Sequence, residues 1–164
     1  MFGICLRYAS DYHSAEDILQ DGFVKVFRNI RKFRGDGSLE GWVRRIFVNT
    51  AIEQYRKSAK KYCFTSLDLV TANSFEDEKL LHFEHNDLLA LVQQLPDGYR
   101  LVFNLYSIEG YTHEEIAQKL NVKVGTSKSQ LARAKKYLRK LIQAQKLSEK
   151  RSLQHARSLL TGYA

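Results

Sequence analysis

The stretch from Thr112 to Lys136 constrains this chain more than any other. Thr112 stands three residues before Glu115, the spacing of a capping box. In that motif the Thr hydroxyl accepts the backbone N–H of the third helical residue, and the Glu carboxylate reaches back to the capping residue's own N–H. A helix therefore starts at His113, with Ile116, Ala117 and Leu120 on its buried face. Asn121-Val122-Lys123 breaks it, and a longer helix opens at Val124-Gly125-Thr126 and runs through Lys136. Short helix, tight turn and long basic helix make the helix-turn-helix pattern. Small Ala117 suits the point where two helices cross closely, and Leu131, Ala134 and Leu138 keep the second helix packed.

The outward residues of that second helix are Thr126, Lys128, Ser129, Gln130 and Arg133, all donors or acceptors. Lys and Arg pair with phosphates or guanine edges, and Gln pairs with adenine in the major groove. The helix N-terminus adds its own positive dipole toward phosphate. A basic run by itself usually means a solvated helix face. Here the cap, the turn length and the absence of acids between Lys123 and Lys146, where eight basic residues fall, coincide. The unit is expected to bind duplex DNA.

Charge is distributed unevenly along the rest. The net charge is 26 − 18 = +8, an excess that favours nucleic acid or an anionic membrane surface and says nothing of fold. Residues 11–21 hold Asp11, Glu16, Asp17 and Asp21 and no Lys or Arg, whereas residues 25–61 hold eleven basic residues against three acidic ones. Residues 65–87 turn acidic again. Alternating segments of this kind suggest two DNA-facing surfaces and at least one protein-facing surface. No run of about 18 apolar residues occurs, so no membrane insertion is expected. The N-terminus lacks the charged segment and apolar run of a secretion signal. Cys5 and Cys63 lie far apart with no CxxC, which reads as two reduced thiols and a cytoplasmic location.

A helix over Phe2–Ala9 begins without a capping residue, as the remainder of a longer first helix would. Ser14 is expected to cap a second helix, with Leu19, Phe23, Val26, Ile30 and Phe33 as one buried stripe. Gly35-Asp36-Gly37-Ser38 is a loop, and Ser38 caps a helix over Leu39–Lys57 that turns Val43, Ile46, Phe47 and Thr50 inward. Ser66, Thr71, Asn73, Ser74 and Glu76-Asp77-Glu78 read as a polar linker. A second unit starts near His85, with a stripe of Leu88, Leu91, Val92 and Leu95. Pro96 suits the first turn of the next helix, whose core face is Leu101, Val102, Leu105 and Tyr106. The expectation is an all-α chain of two small helical domains joined by a polar linker, the second containing the helix-turn-helix. The boundaries read as 1–60, linker 61–84, 85–146 and a tail over 147–164, either a short extra helix or without structure.

Both halves resemble one family, the small two-domain sigma factors of the extracytoplasmic-function (ECF) group of the sigma-70 family. The first half does so through Ala15-Glu16-Asp17-Ile18-Leu19-Gln20-Asp21-Gly22-Phe23-Val24-Lys25-Val26-Phe27 and Gly41-Trp42-Val43-Arg44-Arg45-Ile46-Phe47-Val48-Asn49. The second does so through Leu95-Pro96, Arg100, Val102-Phe103, Glu109-Gly110-Tyr111, Glu115-Ile116-Ala117 and Val124-Gly125-Thr126. The resemblance implies that Glu16, Asp17, Gln20 and Asp21 dock on the clamp helices of core RNA polymerase. It implies that Arg34, Trp42, Arg45, Asn49 and Arg56 meet the downstream promoter element, as duplex and as melted single strand. Arg34 and the loop to Ser38 would line a pocket for an extruded base. The helix-turn-helix would read the upstream element. An anti-sigma protein is the further partner implied; no cofactor or metal is expected. Ser127 departs from the family where a branched apolar residue is common, and Gln130 and Lys135 where arginine is common.

Three rivals stay open on the residues alone. An enzyme would need a phosphate loop, a nucleophile motif or paired metal ligands, and none occurs; His82 and His85 beside Glu78 and Glu84 fall short of a metal site. A DNA-binding regulator that does not join polymerase would use the same helix-turn-helix, but has no need of the acidic helix over 15–27. A helical adaptor that binds only proteins would associate without the steep salt dependence of phosphate contacts.

Overall fold

In the computed structural model the chain is described over residues 1–65 and 87–161, and its side chains over 1–58 and 89–146. The elements of the described residues are all helical: α1 Phe2–Tyr8, α2 Tyr12–Asn29 with a 3-10 turn Ile30–Lys32, α3 Leu39–Thr65, α4 Asp87–Gln93, α5 Asp97–Ser107, α6 His113–Leu120 and α7 Val124–Thr161. Among the described residues there is no strand. Helix α3 runs on past Lys57, and the stretch from residue 147 continues α7 to Thr161 rather than forming a separate tail. The linker residues Ser66 to Glu78 lie outside the described residues.

The cap of α2 is Asp11, not Ser14. Asp11 has extended backbone (φ −149°), and its Oδ1 accepts the Ser14 N–H at 2.7 Å. The Ser14 and Ser10 hydroxyls donate to Oδ2 at 3.0 and 2.8 Å. Partial burial works against the Asp11 carboxylate, but these donors outweigh it and hold its pKa below the ordinary value. The cap thus stabilises the helix above the unfolded-state carboxylate pKa, and that contribution is lost as pH falls through the folded value.

The buried face of α2 also differs from the expected stripe. Ala15, Ile18, Gly22 and Val26 are buried, Leu19 and Phe33 are half-buried, and Phe23 and Ile30 are exposed. Gly22 sets this rotation. A Cβ there would stand 2.5 Å from Phe47 Cε1, so the missing side chain is what lets the buried Phe47 ring against α2. Phe23 is left on the flank, edge-on to Phe47 with centroids 5.3 Å apart. Gly22→Ala is therefore expected to lower the urea midpoint: overpacking costs about 1–3 kcal/mol, only partly offset by the roughly 1 kcal/mol gained in helix propensity. Adding Phe47→Leu should recover part of the loss. An unchanged midpoint for Gly22→Ala would show that the ring shifts freely.

Ser38 caps α3 as expected, its Oγ accepting the Gly41 N–H at 3.4 Å. Phe47, Val48, Thr50, Ala51 and Ile52 are buried, and the Thr50 hydroxyl donates to the Ile46 carbonyl at 2.8 Å. In the second half Leu91, Val92, Leu95, Leu101, Val102 and Leu105 are buried, whereas Tyr106 is exposed and lies outside the core. Pro96 is the N-cap of α5 rather than a first-turn residue. Gly110 at φ +76° turns the chain between α5 and α6, and Asn121 at φ 54° ends α6 in the left-handed region that Asn tolerates.

One contiguous core joins the two halves, running from Cys5 and Leu6 through Phe47 to Leu101, Val102, Leu105 and Ile116. Burial pushes the Cys5 thiol up to about 11, which leaves it an inert core residue. A second cluster, Leu91, Leu95, Ala134 and Leu138, pins α4 to α7. The end of α1 ties the halves by polar bonds. A helix leaves its last carbonyls without intrahelical donors. Here Gln93 Nε2 donates to the Leu6 carbonyl (3.0 Å), Asn104 Nδ2 to that of Arg7 (2.6 Å) and Arg100 Nε to that of Tyr8 (3.3 Å).

Candidate nucleic-acid interface and docking face

Both halves of the capping box are formed: Thr112 Oγ1 accepts the Glu115 N–H at 3.2 Å, and Glu115 Oε2 accepts the Thr112 N–H at 2.8 Å. Ile116, Ala117 and Leu120 of α6 are buried, as are Leu131, Ala134 and Leu138 of α7. Ser127, which stands where the family commonly has a branched apolar residue, is fully buried and lies 2.9 Å by its Oγ from His113 Nδ1. It is a polar tie between α6 and α7. His113 in turn stacks on Tyr106 with centroids 4.5 Å apart.

The outer face of α7 presents Lys128, Ser129 and Arg133 to solvent. Thr126 is half-buried, and its carbonyl accepts the Ser129 hydroxyl at 3.0 Å. Gln130 is half-buried too, with Nε2 3.3 Å from where a Cβ on Gly98 would stand. Packing against α5 thus draws Gln130 away from the open row that spacing alone assigns it to.

In the first half Arg34 is exposed in the loop where Gly35 and Gly37 take φ of 80° and 150°. Trp42 is half-buried and packs against the core, its ring 5.6 Å from that of Phe33. Arg45 is exposed. Asn49 and Arg56 are held by α6: Lys119 Nζ lies 3.5 Å from Asn49 Oδ1, and Arg56 Nη2 donates to the Gln118 carbonyl at 3.3 Å. Arg56 Nε is buried with no partner among the described residues. Beside them Arg44 makes a two-pronged ion pair with Glu109, Nε to Oε2 and Nη2 to Oε1, both at 2.9 Å. No local spacing signals a pair so far apart in the chain.

On α2, Asp17, Gln20 and Asp21 are exposed and Glu16 is half-buried. Asp21 Oδ2 accepts from Gln54 Nε2 at 3.3 Å. Next to these acids lies an apolar surface that the sequence reading missed: Phe23, Val24, Phe27 and Ile30 are all exposed, Phe27 by 74%. The Phe23 and Phe27 rings stack with centroids 6.3 Å apart. The available signal was excess. Apolar residues cover more of α2 than one buried stripe needs, and an exposed apolar patch marks an interaction surface.

No helix among the described residues is long and apolar enough to cross a membrane, and none of their His, Cys, Asp and Glu residues form a group of three able to hold a metal ion. His82, His85, Glu78 and Glu84 lie outside the described residues.

Two basic helical surfaces and an acidic, aromatic face lie on one small helical chain. Comparison with known proteins gives the class. The family described as sigma-70 region 2 matches residues 1–61, and sigma-70, region 4 matches residues 85–138. ECF RNA polymerase sigma factor SigE of Mycolicibacterium smegmatis is 31% identical over 144 residues, covering 85% of this chain and 56% of that protein. RNA polymerase sigma-H factor of Pseudomonas aeruginosa is 29% identical over 155 residues, covering 87% and 80%. The sigma factor RpoE of Bartonella quintana, solved with the anti-sigma factor NepR, shares the fold at TM-score 0.50 and 23% identity, covering 87% of this chain and 88% of that one. The chain belongs to the sigma-70 family, in its ECF group.

Proposed function

We propose that this chain binds core RNA polymerase and directs promoter-specific initiation, with the helix-turn-helix of α6 and α7 reading the upstream element and α3 with its preceding loop meeting the downstream one. The observation that supports it most is the face of α2. A chain of net charge +8 that exposes Asp17, Gln20 and Asp21 beside stacked Phe23 and Phe27 has a surface suited to protein, not to DNA. A regulator that works without polymerase has no use for it. The domain boundaries follow the same division: residues 1–60 dock and open, 85–146 read duplex, and α7 extends beyond the reader.

Within this reading Lys128, Ser129 and Arg133 make the direct upstream contacts, and Thr126 and Gln130 reach DNA only if α7 turns relative to α5. Arg34, Trp42 and Arg45 are open to the downstream element, while Asn49 and Arg56 must first leave α6. Glu16, Asp17, Gln20 and Asp21 dock on polymerase. The chain is not itself an enzyme; nucleotide addition belongs to polymerase. It acts in the cytoplasm, and an anti-sigma protein is its expected inhibitor.

Arg133→Ala tests the upstream reader. Loss of a base contact should weaken binding to a selected duplex by about 1–3 kcal/mol, and loss of a phosphate contact should instead flatten the salt dependence by about one counterion. Fluorescence anisotropy across a salt series distinguishes the two. Unchanged affinity at every salt concentration would remove Arg133 from the interface.

A further inference from the structure

Asp-Gly occurs three times in the chain, at Asp21-Gly22, Asp36-Gly37 and Asp97-Gly98. It is the dipeptide in which an aspartyl side chain closes most easily on the next backbone nitrogen, because glycine leaves that nitrogen unshielded and the backbone free to rotate. Helices hold two of the three. Asp21 lies within α2, its Oδ2 accepts from Gln54 Nε2 at 3.3 Å, and Gly22 packs on the Phe47 ring. Asp97 opens α5 and its Oδ1 accepts from the Arg100 guanidinium. Its neighbour Gly98 faces the Tyr55 hydroxyl and the Gln130 amide, 3.2 and 3.3 Å from where a Cβ would stand. Closing the ring at either pair would turn the Asp backbone out of its helical ψ. The third pair has none of these restraints. Asp36 and Gly37 are exposed and outside any helix, and nothing lies within 4 Å of where a Cβ on Gly37 would stand. Among the described residues the Asp36 carboxylate meets no donor, and the Gly37 N–H meets no backbone acceptor.

We propose that Asp36-Gly37 is a site of spontaneous isoaspartate formation, and that this modification disables the strand-capturing loop as the protein ages. The second half of the inference rests on the proposed function, which gives this loop to the downstream element. In the first step the Gly37 nitrogen attacks Cγ of the protonated Asp36 carboxyl. The N–Cγ bond forms, the Cγ–OH bond breaks, and the hydroxyl leaves with the amide proton as water. Water then opens the cyclic imide at one of its two carbonyls. Opening at Cγ restores aspartate. Opening at the main-chain carbonyl breaks the original peptide bond and leaves the chain running through Cβ and Cγ. One water leaves and one returns, so mass and oxidation state are unchanged. The main chain gains a methylene between Arg34, which is exposed at the head of the loop, and Ser38, whose Oγ caps α3 at the Gly41 N–H. The base pocket expected between them loses its register.

The full chain is aged at neutral pH and physiological temperature, then labelled with a protein isoaspartyl methyltransferase and radioactive S-adenosylmethionine. Trypsin cuts after Arg34 and Arg44, so label at Asp36 is read apart from label at Asp21 and Asp97. Label is expected to accumulate on residues 35–44 and to stay at the fresh-protein level on the peptides holding the other two pairs. No label on residues 35–44, or equal label on all three peptides, overturns the inference. The consequence is read with core RNA polymerase, by scoring transcripts from starts that require the chain. The labelled fraction should give on the order of ten-fold fewer starts, the effect of losing one stacked base, while capture of core polymerase holds. Asp36→Glu, which cannot close the five-membered ring, should keep its own fresh yield through the same ageing. Should that variant fail to fold, aged chain is incubated with the methyltransferase and unlabelled S-adenosylmethionine, which returns isoaspartate to the imide, and the lost starts should reappear. Labelled chain with undiminished starts, or a loss that neither the variant prevents nor the repair reverses, overturns the effect on the loop. Fresh chain that gives no starts would instead defeat the polymerase reading, with the modification still decided by the label.

Discussion

Arg100→Ala is expected to remove about 3–5 kcal/mol of stability, the cost of breaking a buried charged network by deleting one partner. Arg100 is 3% exposed, and it donates to the Tyr8 carbonyl, to the Gln93 and Leu95 carbonyls (both at 3.0 Å) and to Asp97. Burial lowers its pKa, and Asp97 works the other way. The loss falls on both sides of the junction at once. Three carbonyls lose a charged donor, and the end of α1 comes away from the turn between α4 and α5. Arg100→Lys keeps the charge but not the fork that spans these acceptors, so it should recover only a minor part. Urea unfolding followed by circular dichroism checks this. A loss below about 1 kcal/mol would mean that water replaces the guanidinium and that the junction is less tightly built than the bonds imply.

Phe27→Asp should weaken capture of core polymerase by at least ten-fold, on the order of a hot-spot loss of 2 kcal/mol, with little effect on folding. The ring is 74% exposed, so its removal leaves no cavity in the core, and surface changes of this kind usually stay within about 0.5 kcal/mol. Two effects act together at the interface. Apolar area that would be buried against polymerase is lost, and a carboxylate replaces one ring of the stacked Phe23–Phe27 pair. Surface-attached core polymerase titrated with the variant gives the affinity, and the unfolding midpoint gives the control. Undiminished capture with a native midpoint would take the aromatic patch out of the docking face.

The helix-turn-helix was legible in the sequence because every signal in it is local. Thr112 and Glu115, Ala117, Asn121 and the row from Leu131 to Leu138 each act within a turn or two of their own position, and the structure places them accordingly. Helix α2 was misread because hydrophobicity was taken as burial. Gly22, the least hydrophobic-looking residue of the stripe, is its centre, since only a residue without a side chain admits the Phe47 ring. Phe23 and Ile30 were thereby counted as core, and the exposed aromatic patch went unseen. The cap at Asp11 was missed because Ser and Asp both cap well, and only the backbone settles which one does. The sites that depend on distant pairing could not be read at all. Nothing in the spacing of Arg44 or Arg56 reveals that Glu109 and Gln118 would hold them, or that Gln130 would turn toward Gly98. Of the side chains expected at the downstream element, Trp42, Arg45, Asn49 and Arg56 lie on α3 and Arg34 in the loop before it, and the structure keeps two of them, Asn49 and Arg56, against α6.

The most direct test of the central claim is transcription itself. The full chain is mixed with core RNA polymerase and a library of promoter-sized DNA fragments, and the 5′ ends of the transcripts are sequenced. The account predicts starts that appear only with the chain present and that share two sequence elements at a fixed separation upstream. Core polymerase that neither retains the chain nor gains new start sites would contradict it, even if the isolated protein still bound duplex DNA.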